Sequence, residues 1–445
     1  MQRDLFLKCL LLGGVGLVLA VPLLMIASTV AERTQFRDEA LRNIAANTAG
    51  PQRLSGPVLV VPVTEEFDKN VVSEGRALGT TRERRVRSIT LVARDLHVAA
   101  RLQAERRAYG IHSGAVYEVH AALTGTFDPL VHLEIPDPGP NSHLTYGVPR
   151  LVVGVGDARG LASTPEVHVL GTSLAVEGGT KGADMGPGFH ADLPASALGT
   201  RPLPFQVDLV LVGTGSFAVV PTAGVTSAEV LSNWPDPSFG GGFLPREQET
   251  GKEGFRARWS VSRLATDLDP GEGAGPPAHP GAPSFEVRLI DPVDIYQEAM
   301  RAVKYGFLFI VVLFAGFFAT EVLAHIAIHP IQYLLVGLAL ALFFLLLVAL
   351  SEHVSFGRAY LVAALASVAL IVAYLASALR STAKSLQFGA GLAVLYGALY
   401  GVLLSEQNAL LLGSLLLFVM LGILMIGTRR VDWYRIRLSS SGAGG

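Results

Sequence analysis

Glu321, His325 and His329 recur every four residues just before the most apolar stretch of the chain. On a helix this spacing places the three side chains on one face, where they could hold a metal ion. A metal site would also need neutral imidazoles, a further ligand and supporting hydrogen bonds, and the local sequence offers none of these. We therefore favour a helix end with capping and interfacial polar groups, with a hinge in the short loop as a third possibility, and we expect no metal or cofactor.

Glu352 and His353 follow the other end of the same apolar stretch, residues 331–350. Histidine titrates near neutral pH, so this pair could sense the pH of its compartment. We prefer a plain helix terminus, because cations near a helix C-terminus are favoured in any case. A full membrane span of about 30 Å separates this pair from Glu321, so the two clusters cannot form one site.

Two motifs in the middle of the chain could organise loops. Asp157 and Arg159 lie in Val-Gly-Asp-Ala-Arg-Gly, where a charge-assisted bond between them could lock a turn. Trp234 lies in the rigid and exposed-looking segment 233–239, which either binds a ligand or partner or forms a structural corner. The basic segment 82–87 precedes a strand, and a solvated strand edge explains it better than a contact with anionic lipid.

Residues 381–384, Ser-Thr-Ala-Lys, match the S-x-x-K pattern of penicillin-interacting enzymes. The companion motifs Ser-Asp-Asn and Lys-Thr-Gly are absent from the sequence, so Lys384 is better explained as a charge that fixes membrane topology. The histidines of the middle region are scattered without ligand spacing. We therefore expect no catalytic residues and no enzyme activity.

The composition indicates a membrane part and a polar part in one chain. Half of the 445 residues are hydrophobic and 16% are charged, and the charged residues are concentrated in the middle of the chain. The net charge of −2 gives no reason to expect a nucleic-acid partner. Cys9 is the only cysteine and lies in the first apolar segment, so the polar part must fold without disulfides.

The first segment, residues 1–27, is predicted to be an uncleaved transmembrane anchor. Its apolar run reaches roughly 20 residues, longer than the core of a signal peptide, and no A-x-A cleavage site follows. Residues 28–44 continue it as a polar helix, which Gly50 and Pro51 should end.

Residues 28–302 are predicted to form a β-rich domain with a helical stalk at each end. Short apolar runs bounded by glycine, proline, asparagine or aspartate are typical of strands. Examples are residues 58–63, 88–92, 115–120, 151–155, 207–212 and 284–290. Without helical periodicity between them, they favour an antiparallel sandwich or barrel-like fold, interrupted by a Pro/Gly-rich loop at 269–283. Asp291 and Pro292 should begin the next helix.

Residues 303–428 are predicted to supply five further transmembrane helices, followed by a tail at 429–445. Each apolar run is close to the roughly 20 residues that cross a bilayer. The runs are Val303–Thr320, Ile331–Leu350, Ala359–Leu379, Leu386–Leu404 and Ala409–Gly427. With the anchor, this is a six-helix bundle. Basic residues of the short loops cluster on the side of both termini, so we expect cytoplasmic termini and a periplasmic β-rich domain.

A series of motifs in fixed order resembles the CreD family of bacterial inner-membrane proteins along nearly the whole chain. The series comprises residues 50–52, 56–65, 155–160, 213–221, 232–239, 243–245, 329–338, 350–353 and 432–434. His325 and the short Ser/Gly-rich tail depart from the family pattern. The resemblance implies a role in cell-envelope integrity, colicin tolerance and, in some bacteria, the response to β-lactams, without known catalytic activity.

We therefore expect a non-enzymatic inner-membrane protein that acts by binding or scaffolding in the periplasm. Its partners would be the lipid bilayer and an envelope protein, lipid or glycan. The alternative is a transporter or exporter component for an envelope lipid or glycan. Against that alternative, the ionisable residues Glu321, Glu352, Arg358 and Glu406 fall at the ends of the predicted spans rather than near mid-bilayer.

Overall fold

The computed structural model describes residues 2–429 except 74–75, 111, 132–137, 182, 184, 195–196, 198, 267–281, 291–294, 325–327, 379–380 and 406–408. The α-helices are α1 (Gln2–Asn47), α2 (Ile295–Ala324), α3 (Pro330–Ser351), α4 (Phe356–Ala378), α5 (Thr382–Leu404) and α6 (Ala409–Thr428). The first strands are β1 (Gln52–Ser73), β2 (Arg76–Val92), β3 (Asp95–Tyr109), β4 (His112–Phe127), β5 (His143–Tyr146), β6 (Arg150–Gly154), β7 (Glu166–Val169), β8 (Thr172–Leu174) and β9 (Val176–Gly178). The remaining strands are β10 (Gly188–Asp192), β11 (Leu203–Thr214), β12 (Ser216–Val219), β13 (Val225–Ser232), β14 (Pro237–Gly240), β15 (Glu247–Gly251), β16 (Gly254–Ser262) and β17 (Phe285–Leu289).

The chain divides into two compact units. Residues 1–38 and 293–445 form the first, which we call the membrane unit, and residues 39–292 form the second, which we call the β unit. The boundary falls inside α1, so the last turns of this helix belong to the β unit. The predicted anchor and the polar stretch after it are one helix, which ends at Asn47, shortly before Gly50 and Pro51.

Five helices of the membrane unit, α1 to α5, contain stretches long and apolar enough to cross a membrane. The five apolar runs predicted from the sequence after residue 302 lie almost entirely within α2 to α6. α6 remains a predicted span. The start of α2 predicted at Asp291 and Pro292 lies outside the described residues, as do nearly all of the 269–283 loop and of the tail.

α3 is the best buried of these candidate spans. In its most apolar window 56% of the residues are buried, compared with 22% in α4. Gly337 brings it close to α1, because a Cβ added there would collide with the Leu19 side chain. The core around α3 includes Tyr333, Phe343 and Phe344, which are almost fully buried. α3 is therefore the helix around which α1, α2 and α4 pack.

Two β-sheets form the β unit. The nine-stranded sheet has the order β14-β17-β12-β1-β6-β10-β9, with β2 and β5 also paired to β1. The eight-stranded sheet has the order β15-β16-β13-β3-β4-β11-β7-β8. The predicted strands all fall on strands of these sheets. The prediction of an antiparallel fold is wrong at two pairs, because β1 runs parallel to β12 and β3 runs parallel to β13.

The core of the β unit draws side chains from both sheets, as in a sandwich. Alternate residues of β3, beginning with Leu96 and Val98, are buried while their neighbours are exposed, which is the period of a strand with one buried face. Trp259 of β16 stacks on Phe285 of β17 with ring centroids 5.8 Å apart. These aromatic residues join the two sheets across the core.

Candidate functional site

Glu321 is a buried carboxylate near the end of α2, with only 3% of its surface exposed. Lys8 of α1 donates a hydrogen bond from Nζ to Glu321 Oε1. The hydroxyl of Tyr333, on α3, donates to Glu321 Oε2 over 2.9 Å. A buried charge needs both an opposite charge and hydrogen bonds, and Glu321 has both. We call Lys8, Glu321 and Tyr333 the Glu321 triad.

His329 serves as the N-cap of α3. Its Nδ1 accepts a hydrogen bond from the backbone N–H of Ile331 over 3.3 Å, and the Gln332 side chain accepts from the His329 N–H. This arrangement is a capping box built on histidine. Glu321 and His329 therefore have different partners, and His325 lies outside the described residues. Among the residues that the structure describes, no group of three histidine, cysteine or acidic side chains could hold a metal ion.

Glu352 follows the last turn of α3 and meets side chains of α1 and α2. Its Oε1 lies 3.6 Å from Arg33 Nε and accepts a hydrogen bond of 3.2 Å from the Tyr296 hydroxyl. We call Arg33, Tyr296 and Glu352 the Glu352 triad. The side chain of His353 is exposed, and its backbone N–H donates to the Leu350 carbonyl. The sequence indicated Glu352 but not its two partners.

Each triad consists of a cation, a carboxylate and a tyrosine hydroxyl, and the helices that supply the carboxylate and the tyrosine are exchanged between the two. In each, α1 supplies the cation, while α2 and α3 supply a carboxylate and a tyrosine hydroxyl. The carboxylate comes from α2 in the Glu321 triad and from α3 in the Glu352 triad. Each therefore ties the same three helices together, near the first residues of α3 in one case and just after its last residues in the other.

Asp157 and Arg159 form the predicted charge-assisted pair in the β unit. Arg159 Nη2 donates to Asp157 Oδ2 over 2.6 Å, and Asp157 caps a short 3-10 turn by accepting from the Arg159 N–H. Its carboxylate also accepts from the Gly50 N–H over 3.0 Å. Hydrogen bonding to Arg159 holds the pKa of Asp157 far below its usual range.

This pair continues into contacts with the end of α1. Arg159 Nη1 donates to the Ala46 carbonyl, in the last turn of the helix, over 2.7 Å. Helix ends leave carbonyls without intrahelical partners, so a guanidinium there satisfies one and also complements the helix dipole. Three residues further along, the carbonyl of Ala49 accepts a hydrogen bond of 3.0 Å from the hydroxyl of Thr214.

Two residues that the sequence did not single out complete this region. Gln52 donates from Nε2 to the Asp157 and Val212 carbonyls, and its own N–H donates to the Tyr117 hydroxyl. Tyr117 is almost fully buried, and burial raises the pKa of its hydroxyl. We call Gly50, Gln52, Tyr117, Asp157 and Arg159 the junction network, because it holds α1 to β1. The network has a structural role, because the carboxylate of Asp157 and the amide oxygen of Gln52 both accept hydrogen bonds from other groups of this chain.

Trp234 is buried, although the segment around it looks exposed in the sequence. Only 6% of its surface is accessible, and its indole N–H donates to the Ile290 carbonyl over 2.8 Å. The neighbouring Asn233 side chain accepts from the Ala104 N–H and donates to the Ala104 carbonyl, extending the hydrogen bonding of β3 beyond the end of β13. Burial of the indole ring favours the structural corner of the two alternatives, because the ring contributes to the core.

The two remaining motifs also have structural partners. Ser381 is the N-cap of α5 and accepts from the Lys384 N–H, so the Ser-Thr-Ala-Lys segment begins a helix. In the basic segment, Arg87 lies 3.5 Å from the buried carboxylate of Glu65, and Arg85 stacks over the ring of Phe67. Of the described strands, only β1 pairs with β2, so these arginines do lie on an edge strand.

Several apolar helices joined to a large two-sheet domain define a membrane protein with an extramembrane β unit. The family model described as "Inner membrane protein CreD" matches residues 4–434. The chain therefore belongs to the CreD family of inner membrane proteins. It is 36% identical to "Inner membrane protein CreD" of Escherichia coli (strain K12) over 439 residues, which covers 98% of this chain and 96% of that protein. Its apolar helices fit a multi-pass location in the inner membrane.

Among solved structures, the comparison finds the M1 zinc metallopeptidase of Deinococcus radiodurans. One structure of it shares 10% identity with this chain, covers 38% of each chain and has a TM-score of 0.19. Another shares 13% identity, covers 38% of this chain and 40% of the peptidase, and has a TM-score of 0.18. Similarities of this size carry no argument about fold or activity.

Proposed function

We propose that this chain is a non-enzymatic inner-membrane protein that supports cell-envelope integrity and the response to envelope and antibiotic stress. The observation that carries the proposal is the family match, which extends over almost the whole chain and includes both units. The β unit would act in the periplasm by binding or scaffolding an envelope protein, lipid or glycan. Six spans and cytoplasmic termini belong to the same proposal.

The surroundings of the candidate residues support a structural rather than a catalytic role. Both carboxylate oxygens of Glu321 accept hydrogen bonds, one from Lys8 and one from Tyr333, and His329 caps a helix. Asp157 and Arg159 are engaged with each other and with the end of α1. A transporter would instead place ionisable groups along a path through the bilayer. Glu321 and Glu352 lie near the ends of α2 and α3, and each faces a cation of α1.

The test is complementation. Cells that lack their own copy are supplied with this chain, and survival is measured under colicin and under a β-lactam. We expect survival to increase relative to the empty vector when membrane fractions contain the protein. Unchanged survival under both challenges, with normal protein in the membrane, would contradict the proposal. Movement of a labelled envelope precursor by the purified protein in liposomes would instead support the transporter alternative.

A further inference from the structure

β2 is a long edge strand of the nine-stranded sheet. It has 17 residues, and of the described strands only β1 pairs with it. In an antiparallel pair, alternate residues direct their N–H and C=O groups to the partner, and the residues between them direct theirs away. The outer side of β2 therefore offers a row of backbone donors and acceptors to another strand.

Regular pairing keeps this edge suitable for a further strand. Residues 79–92 pair with β1 without a shift in register, and the irregularity in the pairing lies near the tip of the hairpin. Proteins commonly protect an edge by a short strand, a bulge, a proline or charged side chains. Residues 80–92 contain no proline and no register shift, so charge is the device that remains.

The charge carried by this edge strand is positive. Residues 82–87 contain four arginines and one glutamate. Arg84 and Arg85 are both exposed, and consecutive side chains of a strand point to opposite faces of the sheet. A strand added to β2 therefore meets an arginine on each face.

Acidic residues of β1 offset this charge only in part. Arg87 lies 3.5 Å from the buried carboxylate of Glu65, and Arg82 lies 3.7 Å from the carboxylate of Glu66. β1 lies behind β2, about 4.8 Å further from an added strand. Because Coulomb interactions weaken with distance, the arginines of β2 act on that strand more than the carboxylates of β1 do.

This charge discriminates between the strands that could occupy the edge. A second copy of β2 would bring the same excess of arginines, and like charges directly opposite on neighbouring strands are destabilising. A strand with aspartate or glutamate side chains would instead place opposite charges side by side. The edge therefore disfavours pairing between copies of this chain and favours an acidic partner.

We propose that the outer edge of β2 binds an extended, acidic polypeptide segment, which adds to the nine-stranded sheet as a further strand. Backbone hydrogen bonds supply the attraction, and the arginines of residues 82–87 select the charge of the partner. This inference rests on the proposed function of binding an envelope protein, and it names the surface and the kind of segment that binds there.

The first experiment measures binding of a synthetic peptide to the full-length protein in nanodiscs of zwitterionic lipid. The peptide has about nine residues, the length of an ordinary strand, and alternates threonine and glutamate. The control peptide has lysine in place of glutamate. We expect fluorescence anisotropy to show binding of the acidic peptide alone, with an affinity that falls as salt is added.

Charge reversal on the edge should weaken this binding. We expect Arg84→Glu combined with Arg85→Glu to raise the dissociation constant by a factor of about 3–10, as suits exposed charges. The matched control is Arg101→Glu combined with Arg201→Glu, which changes two exposed arginines outside β2 by the same net charge. The control should stay within about twofold of the parent, because distant surface charges are screened.

Hydrogen exchange in the parent tests the mode of binding without any substitution. Strand addition gives new partners to the outward N–H groups of β2, so the acidic peptide should slow exchange within residues 80–92. A contact made through arginine side chains alone would leave these amides unchanged.

Four results would overturn the inference. They are no binding of the acidic peptide, equal binding of the lysine peptide, unchanged affinity in the Arg84→Glu and Arg85→Glu variant, and binding without protection of residues 80–92. Protection of these residues by nanodiscs of anionic lipid, without peptide, would assign the edge to a lipid contact instead. If the parent complements cells but does not bind the peptide, the proposed function stands and this inference alone fails.

Discussion

Glu321, Glu352 and Asp157 are three of the described carboxylates that face a cation, and burial decides what each contact contributes. Glu321 is enclosed, so removing its partner would leave an uncompensated charge in an apolar core. The side chain of Glu352 is 13% exposed and lies 3.6 Å from Arg33, so this ion pair is the looser of the two. Asp157 is slightly more exposed than Glu352, with side chains 18% and 13% accessible, and it accepts several hydrogen bonds at once.

At the Glu321 triad we expect Lys8→Met to lower the stability of the purified protein by about 3–5 kcal/mol, because Glu321 would remain buried without a cation. Adding Glu321→Gln should restore part of this loss, since the remaining groups are then neutral. Thermal unfolding in detergent measures both variants. Lys304→Met, which changes an exposed lysine of α2, is the control and should have little effect. Equal stability of Lys8→Met and the parent would show that the ion pair is not formed.

At the element scale, capping explains why several polar motifs stand where they do. His329 begins α3, Ser381 begins α5 and Arg159 meets the last turn of α1. Helix ends carry unpaired backbone groups, and polar side chains placed there satisfy them. Sequence reasoning anticipated capping near His329 and the Asp157–Arg159 lock. It did not indicate that Arg159 also contacts the end of α1. Ala46, which accepts that hydrogen bond, is 113 positions away from Arg159 in the sequence.

For the junction network we expect Asp157→Ala to destabilise the β unit by about 1–3 kcal/mol, as loss of hydrogen bonds to a charged group does. Hydrogen exchange at the Gly50 amide should also become faster, because Asp157 accepts its hydrogen bond. Asp192→Ala is the matched control, since Asp192 pairs with Arg150 at the surface, and it should change stability by less than about 1 kcal/mol.

The same site gives a pH dependence with a definite sign. Arg159 lowers the pKa of Asp157 in the folded protein, so the carboxylate contributes stability above the usual aspartate pKa of about 4. That contribution is lost as pH falls below about 4 towards the folded pKa. Asp157→Asn should therefore flatten the acid side of the stability curve. An identical curve for the parent and Asp157→Asn would show that this ion pair does not contribute.

At the scale of the whole molecule, the two largest hydrophobic cores among the described residues share no residue. The membrane-unit core is made by helices and the β-unit core by the faces of two sheets, and α1 is the helix whose residues are divided between the units. Such a chain suits a protein whose membrane part and polar part work in different surroundings. The proposed orientation puts the polar part in the periplasm.

Cysteine labelling in intact spheroplasts tests that orientation. In the Cys9→Ser background, Gln248→Cys on β15 is exposed in the β unit, and Ala383→Cys is exposed in the first turn of α5. We expect a membrane-impermeant maleimide to label Gln248→Cys in intact spheroplasts and Ala383→Cys only after lysis. The opposite pattern would reverse the proposed topology.

The sequence by itself determined the elements and the family. Runs of about 20 apolar residues specify helices that suit a bilayer, and short alternating runs specify strands, because both signals depend on neighbours along the chain. The tertiary structure alone decided the partners. Lys8 and Glu321 are 313 positions apart, and Trp234 meets a carbonyl 56 positions away. No local pattern encodes such contacts, since they form only when helices pack and the two sheets close over a common core. For that reason Trp234, which resembled an exposed loop residue, is part of the β-unit core.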